Sequence, residues 1–324
     1  MKASVRSMAR LAAALATGLL LAAAVQAQTF PTRPVHLIVP NAPGGAIDIL
    51  AQLFAQHLRP LWGQAVVVEY KPGAGTALGT EYVARSAPDG HTICLVVTSH
   101  VINPSVRPLG FDTVRDLSGV TMTAVSDIVI VATSSFPANT VGELIALAKK
   151  DPKKLSYATP GSGSSMHLAG ELLKLQAGID ILHVPFKGSG PAYPEVISGR
   201  IQLLIDPLYS SLSYMKSGRL KAIAITGPKR TSIAPDIPTV AETVPGFNVL
   251  SINGLVVPSA TPRDIVRRLN ADFVKLLQLP EVKARMAEFS LEPVGNTPEQ
   301  FDAYIRAEIE KWATVVKAAG IKND

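Results

Sequence analysis

Three glycine-rich stretches carry the chemistry that this sequence offers: PNAPGGAID (residues 40–48), KPGAGTALG (71–79) and TPGSGSSMH (159–167). Each lies where an apolar run gives way to a helix-patterned segment. A strand, a glycine turn and a helix start gather backbone N–H groups around one point, and the helix end adds partial positive charge. Such a place suits an anion, whether a nucleotide phosphate, the oxyanion of a reaction intermediate or a free carboxylate. Phosphate binding of the P-loop type needs G-x-x-x-x-G-K-[ST], which is absent. Gly73, Gly75 and Gly79 give G-x-G-x-x-x-G, one residue too long for the dinucleotide fingerprint, and no ribose-binding acid stands in the expected context. The nucleophile elbow G-x-S-x-G is absent too. Ser162, Ser164, Ser165 and Ser189 lie near glycines at other spacings, and His167 follows the serines, so a Ser–His pair has to be weighed against a His167 that packs or borders a cleft.

The other five histidines carry no metal-ligand spacing, and the single cysteine, Cys94, excludes a Cys pair. Asp48, Asp89 and Asp206 make no recognisable acid–base pair. Asp48 falls in a first helical turn, where a carboxylate suits the macrodipole and can bond loop amides. What remains is backbone. Two glycine-flanked helix starts facing each other across a cleft can hold a small carboxylate with no catalytic residue, no cofactor and no metal. A side chain at Gly45 is expected to crowd the backbone's approach to a ligand and to disfavour any φ > 0 conformation there.

The elements that would position these loops alternate. VHLIVP (35–40), AVVVEY (65–70) and HTICLVV (91–97) read as strands, with helices over 48–63 and 72–87 between them. Apolar strands separated by helices predict a parallel sheet covered on both faces. The extended stretch 119–135 is long enough to run from one sheet into another. A helix over 140–152 opens on Thr140 with Glu143 three residues on, a capping box. Strands at 155–159, 180–186, 201–206 and 221–226, with helices over 160–178 and 190–199, form a second α/β unit. Residues 228–249 are Pro-rich and irregular, 249–262 is extended, and two amphipathic helices, 262–278 and 298–318, close the chain. The reading is α/β, with two domains joined by two crossing segments near 121–131 and 249–257.

The start of the chain reads as a secretory signal peptide. Lys2, Arg6 and Arg10 precede the apolar stretch Leu11–Val25, and Val25-Gln26-Ala27 fits a cleavage site after Ala27. The apolar stretch is short for a span of ~20 residues, and no cysteine follows it to take a lipid anchor. Removing its three basic residues lowers the formal charge from +6 to about +3, which is mildly basic and excludes a nucleic-acid surface. An exported chain with one cysteine fits a bacterial periplasm. The roughly 297 residues after Ala27 suffice for two domains.

From about Pro31 onwards the sequence resembles the Bug family, the TctC-like extracytoplasmic solute receptors of tripartite tricarboxylate transport systems. The resemblance rests on RPVHLIVPNAPGGAIDILAQLFAQHL, VVVEYKPGAGTALGTEYVARSAPDGHT, YATPGSGSSMHLAGELLK, HVPFKGSGPAYPEVISGRIQLLID, GRLKAIAITGPKR, PDIPTVAET and GLVVPSATP, in that order. It implies a type II periplasmic-binding-protein fold, with 28–125 plus 250–324 as one domain and 126–249 as the other. It implies a small organic acid held between them, often by loop amides and bridging waters rather than by an arginine. By position, the first-domain contacts fall on Ala42 to Asp48, with Gly44, Gly45 and Ala46 at the tip. The second-domain contacts fall on Gly161, Ser162, Gly163, Ser164, Ser165 and His167, with Phe186, Lys187 and Gly188 beside them. Thr98, Ser99 and Asp206 would border the cleft.

The sequence departs from the family pattern at Tyr70-Lys71 (usually Asn-Arg), Thr76 (usually Gly), His91 (usually Tyr) and Ile252-Asn253, where a large aromatic often stands. Implied partners are the organic acid and either the membrane subunits of a transporter or a signalling protein, with the receptor itself a monomer. A hydrolase using a serine of PGSGSS with His167 is the competing enzymatic reading.

Overall fold

The computed structural model describes residues 30–321; the expected leader, 1–27, lies outside the described residues. Two sheets organise the chain. The first runs β11-β4-β10-β3-β1-β2, with β11 the short edge strand Leu291–Pro293, and the second β7-β6-β8-β5-β9. Strands β1 (Val35–Val39), β2 (Val66–Tyr70) and β3 (Thr92–Val97) are the parallel part of the first sheet, joined by helices Ala46–Trp62 and Ala77–Ala84. In the second, β6 (Ser156–Thr159) runs parallel to β7 (Leu182–Pro185) and β8 (Leu203–Pro207).

Neither sheet is wholly parallel, which corrects the expectation from strand–helix alternation. The extended stretch after residue 117 is two strands: β4 (Leu117–Ser126) in the first sheet and β5 (Ile128–Thr133) in the second. The return path is β9 (Leu220–Ile225), then β10 (Ser251–Pro258). β10 is antiparallel to β3 and β4, and β5 is antiparallel to β8 and β9. A strand that leaves one sheet to enter another has no helix to bring it back in the parallel sense, so it pairs antiparallel. Asp127 marks the break.

The two crossings are tied together by one residue. Fully buried Thr226 donates its N–H to the Ile128 carbonyl (2.9 Å) and accepts from the Val249 N–H (2.9 Å). Its hydroxyl donates to the Val249 carbonyl (2.7 Å).

Local signals account for most helix ends. Ala46–Trp62 stops at Gly63, whose φ of 62° lets its N–H turn back to the Arg59 carbonyl. Thr140 accepts from the Glu143 N–H (3.2 Å), but the Glu143 carboxylate reaches the Asn139 N–H (2.6 Å), one residue short of the reciprocal bond expected. Two further helices, Ser99–Val106 and Leu208–Lys216, lack a clean amphipathic signal. The first contains Pro104 and β-branched residues. It forms because His100, Val101, Ile102, Asn103 and Val106 are buried, so packing overrides propensity.

One face of the first sheet packs on Ala46–Trp62 and Arg263–Leu277, through Leu50, Phe54, Leu58, Leu269 and Phe273. On the other side a continuous apolar cluster joins residues of both sheets, such as Ile38, Val96, Ile130 and Ile205, with the last helix, Pro298–Ala319. Trp312, Val315 and Val316 of that helix share the cluster with Leu168, Leu172 and Leu173 of helix Ser165–Ala177. The final helix thus lies against elements of both sheets.

Its entry is shaped by a glycine. A Cβ on Gly254 of β10 would stand 2.2 Å from Phe301 Cζ. Gly254→Ala is therefore expected to destabilise by about 1–3 kcal/mol through overpacking, and Phe301→Ala by about 3–5 kcal/mol. The double variant should cost less than the sum, because the methyl fills space the ring vacates. Urea unfolding of the four proteins reads the coupling; strict additivity would separate Gly254 from the ring.

Candidate functional site

Between the two sheets lies a cavity of about 630 Å³. Asn41, Ala42, Gly45, Ile47, Gly75, Thr76, Val97, Thr98, Ser99, Asn103 and Arg107 line it from the first sheet's side. Pro160, Ser162, Gly163, Ser164, Ser165, Met166, Pro207 and Tyr209 face them from the second. Ser126, Ser251, Ile252 and Asn253, next to the crossings, line it too, with Leu291. The wall mixes hydroxyls and glycine backbone with apolar surface. Arg107 is the single charged side chain of the lining.

The first loop is clamped from behind. Gly44 has φ +99° and donates its N–H to Asp48 Oδ2 (2.8 Å). Tyr70 donates to Asp48 Oδ1 (2.6 Å), and Gln52 Nε2 donates to the Tyr70 oxygen (2.9 Å). The Tyr70 hydroxyl, helped by the Gly44 amide, holds the Asp48 carboxyl below its usual range, and Asp48 in turn raises Tyr70. Tyr70, a departure from the family pattern, thus acquires a local role. The positive φ of this turn belongs to Gly44, not to Gly45. Gly45 is an extended N-cap at φ −93°, and a Cβ there would meet nothing within 4 Å. Gly45 is itself part of the cavity's lining. Ala46 and Ile47 open the helix, in the turn whose N–H groups have no intrahelical acceptor.

The second loop turns through Gly73, Ala74, Gly75 and Thr76, with φ of 133°, 46°, 57° and 81°. Thr76 adopts a conformation that favours glycine, and its hydroxyl lies 2.7 Å from Ser99 Oγ. Asn103 Nδ2 donates to the Gly75 carbonyl (2.8 Å). Thr98 accepts from the Ile252 N–H (2.9 Å), which binds β3's end to the returning strand.

In the third loop, Ser164 caps its helix: its hydroxyl donates to the Gly161 carbonyl (2.7 Å) and accepts from the His167 N–H (3.2 Å). The His167 ring turns away from the cavity. Nδ1 accepts from the Gly163 N–H (3.1 Å), and the ring stacks on His183 at 3.8 Å. Burial lowers the pKa of His167 and pushes His183 down to about 3. Ser165 Oγ lies 3.3 Å from Ser251 Oγ. Among the described residues, no serine hydroxyl meets the His167 imidazole, and no cluster of three His, Cys, Asp or Glu could hold a metal.

Of the residues the resemblance selected, Ala42, Gly45, Thr98, Ser99, Ser162, Gly163, Ser164 and Ser165 line the cavity. Gly44, Asp48, Gly161 and His167 shape the loops from outside it. Phe186 and Gly188 donate their N–H groups to the Thr159 and Pro160 carbonyls (both 2.9 Å), backing the third loop, and Lys187 is exposed beside them. Asp206 is wholly buried, accepting from Ser189 Oγ and Tyr193 OH (each 2.5 Å). Among the departures, His91 is buried beside Phe30, whereas Ile252 and Asn253 line the cavity. The lining residues that sequence reasoning missed include Asn103 and Arg107. Asn103 rides on the helix that lacked a signal and Arg107 follows its end, and only the Gly75 turn beside them was marked in the sequence.

The family described as "Tripartite tricarboxylate transporter family receptor" matches residues 50–321. The chain belongs to this receptor family. BugT of Bordetella pertussis is 35% identical over 306 residues, covering 93% of this chain and 94% of BugT. An R. palustris protein solved with adipate is 33% identical with a TM-score of 0.75, covering 90% of this chain and 99% of its own. MatC from Rhodopseudomonas palustris, solved with bound malate, is 30% identical with a TM-score of 0.72, covering 89% and 100%. The two-sheet α/β architecture is thus that of periplasmic binding proteins of the TctC type, and the family is one of solute receptors rather than enzymes.

Within this receptor, Asp206 gives a pH signature. Burial pushes its carboxyl up to about 6, against about 3.9 in an unfolded chain. Between those values the folded chain holds the extra proton, so this group's contribution to stability falls as pH rises from about 4 to about 6 and is level above. Asp206→Asn is expected to remove that slope. The stability difference between variant and wild type should therefore shift in the variant's favour by on the order of 2 kcal/mol across the window. Urea midpoints at several pH values measure it, and a pH-independent difference would refute it.

Proposed function

We propose that this receptor works as a monomer in the periplasm, after removal of its leader. It captures a small organic acid with one or two carboxylates in the cleft, and delivers it to the membrane subunits of a tripartite tricarboxylate transporter. The observation that carries this reading is the lining: hydroxyls and helix-start amides from both sides, one cation, no acid, and an apolar wall. A carboxylate finds donors there, and its hydrocarbon body finds Ile47, Met166 and Ile252. The volume, about 630 Å³, falls within the usual span for small-ligand pockets of about 300–1,000 Å³. Adipate and malate in two relatives support the ligand class.

In this proposal residues 28–125 with 250–324 move as one body and 126–249 as the other, about the segments 121–131 and 249–257. A ligand touching both sides makes its full set of contacts only when they approach, so it shifts the population toward closure. Closure excludes water and strengthens each amide–carboxylate bond. Adipate and malate are the first probes. Calorimetry should show binding, X-ray scattering a smaller radius of gyration with ligand, and mass analysis the ligand unchanged after long incubation. A scattering profile indifferent to a tightly bound acid would sink the flytrap scheme.

Gly45→Val, whose side chain would project into the cavity, is expected to weaken binding at least about tenfold, or about 1.4 kcal/mol. Unchanged affinity in the folded variant would remove the first loop from the site. Deleting the receptor from its native cell separates delivery from signalling. Loss of acid uptake supports transport; retained uptake with loss of an acid-induced response supports a sensor.

A further inference from the structure

We propose that Arg107 is the specificity-determining cation of the cleft: it takes one carboxylate of a ligand that carries two, while the glycine-loop amides take the other. The inference rests on the receptor reading above and refines it. Arg107 follows helix Ser99–Val106, and its N–H closes the last turn on the Asn103 carbonyl (3.1 Å). Its side chain then lies along the second glycine loop and lines the cavity. A Cβ on Gly75 would stand 2.9 Å from Nη2 and 3.2 Å from Cζ, so the missing side chain at Gly75 is what leaves the guanidinium room. Asn103, bonded to the Gly75 carbonyl, fixes that turn from the same helix.

Arg107 has a place but no partner. Its Nε is buried without a hydrogen bond, and among the described residues no carboxylate forms an ion pair with it. No other charged side chain lines the cavity, so nothing there neutralises it. A guanidinium with a desolvated, unpaired N–H is costly to leave unmatched, and its planar fork fits a carboxylate through two parallel bonds. The alternative is a helix-end arginine that favours the terminal carbonyls. That role would affect stability but would not distinguish one ligand from another. Arg107 stands beside the second loop and is a side-chain cation, whereas the first and third loops offer helix-start amides, so it gives the cavity an anion-attracting point of a second kind. A monoacid satisfies one of the two points, and a diacid can satisfy both.

The test uses succinate, adipate and suberate, each with its monoamide, titrated calorimetrically into the full-length mature protein. The monoamide keeps the size and shape but replaces one acceptor oxygen by an NH2 donor and removes one charge, so it cannot take both bonds of the guanidinium fork. Wild type is expected to prefer the best-bound diacid over its monoamide by at least about tenfold. Arg107→Gln should bring that ratio close to one, and Arg107→Lys should leave it in between. Gly75→Ala keeps the charge but displaces the fork, and should lower the ratio as well. If Arg107→Gln fails to fold, the other two variants decide. An unchanged ratio in folded Arg107→Gln, or in both other variants, overturns the proposal while leaving the receptor reading intact. A wild type that binds a diacid no better than its monoamide does the same. Binding of none of these acids or monoamides by wild type overturns both.

Discussion

The cleft exists because the chain passes between two sheets twice and both passages are held at one buried residue. Thr226 accepts from one passage through its carbonyl, donates to it through its hydroxyl, and donates to the other passage through its N–H. The sheets are therefore anchored to each other along one edge. Opposite that edge, the glycine loops at the ends of β1 and β6 face the cavity from either side. The two connections join the sheets on the anchored side of the cleft. The apolar cluster that joins both sheets, and the last helix lying against elements of each, put further restoring contact behind the cleft.

Charge is arranged around the cleft by exclusion as much as by supply. Asp48 stands three residues from Gly45, yet its carboxylate is spent on Gly44 and Tyr70. Asp206 lies inside the second unit, satisfied by Ser189 and Tyr193. His167 is turned to His183 and accepts a loop N–H. Each of these groups stiffens a loop or strand from outside the cavity. A carboxylate entering it meets hydroxyls, helix-start amides and one guanidinium, and no negative side chain to repel it. Fixed donors of this kind need no rearrangement on binding, which favours affinity at little entropic cost.

The absence of a nucleophile has the same origin. Ser162, Ser164 and Ser165 line the cavity, but Ser164 is committed as a helix cap and Ser165 faces Ser251. The two imidazoles in the loop's reach are both engaged elsewhere: His167 accepts the Gly163 N–H through Nδ1, and His183 Nε2 lies 2.7 Å from the Thr159 hydroxyl. A serine hydroxyl without a base stays a weak nucleophile. The arrangement suits holding an acid and releasing it unchanged.

By itself the sequence determined the alternating strand–helix plan, the three glycine loops, and the exclusion of phosphate and dinucleotide fingerprints. These are local properties: apolar periodicity sets the elements, and glycines at strand–helix joints set the turns. The long extended stretch 119–135 already suggested a passage between sheets. Tertiary structure decided what depends on orientation. It made both sheets mixed, because crossing strands enter in the antiparallel sense. It formed helix Ser99–Val106 against its weak propensity, because burial of Val101, Ile102 and Val106 outweighs a proline and β-branched residues. It turned His167 and Asp206 away from the cleft, and it brought in Arg107 and Asn103, which no motif marked. A motif records which residues are neighbours along the chain. Which way a side chain points, and what it meets across a cavity, is fixed only when elements far apart in sequence pack together.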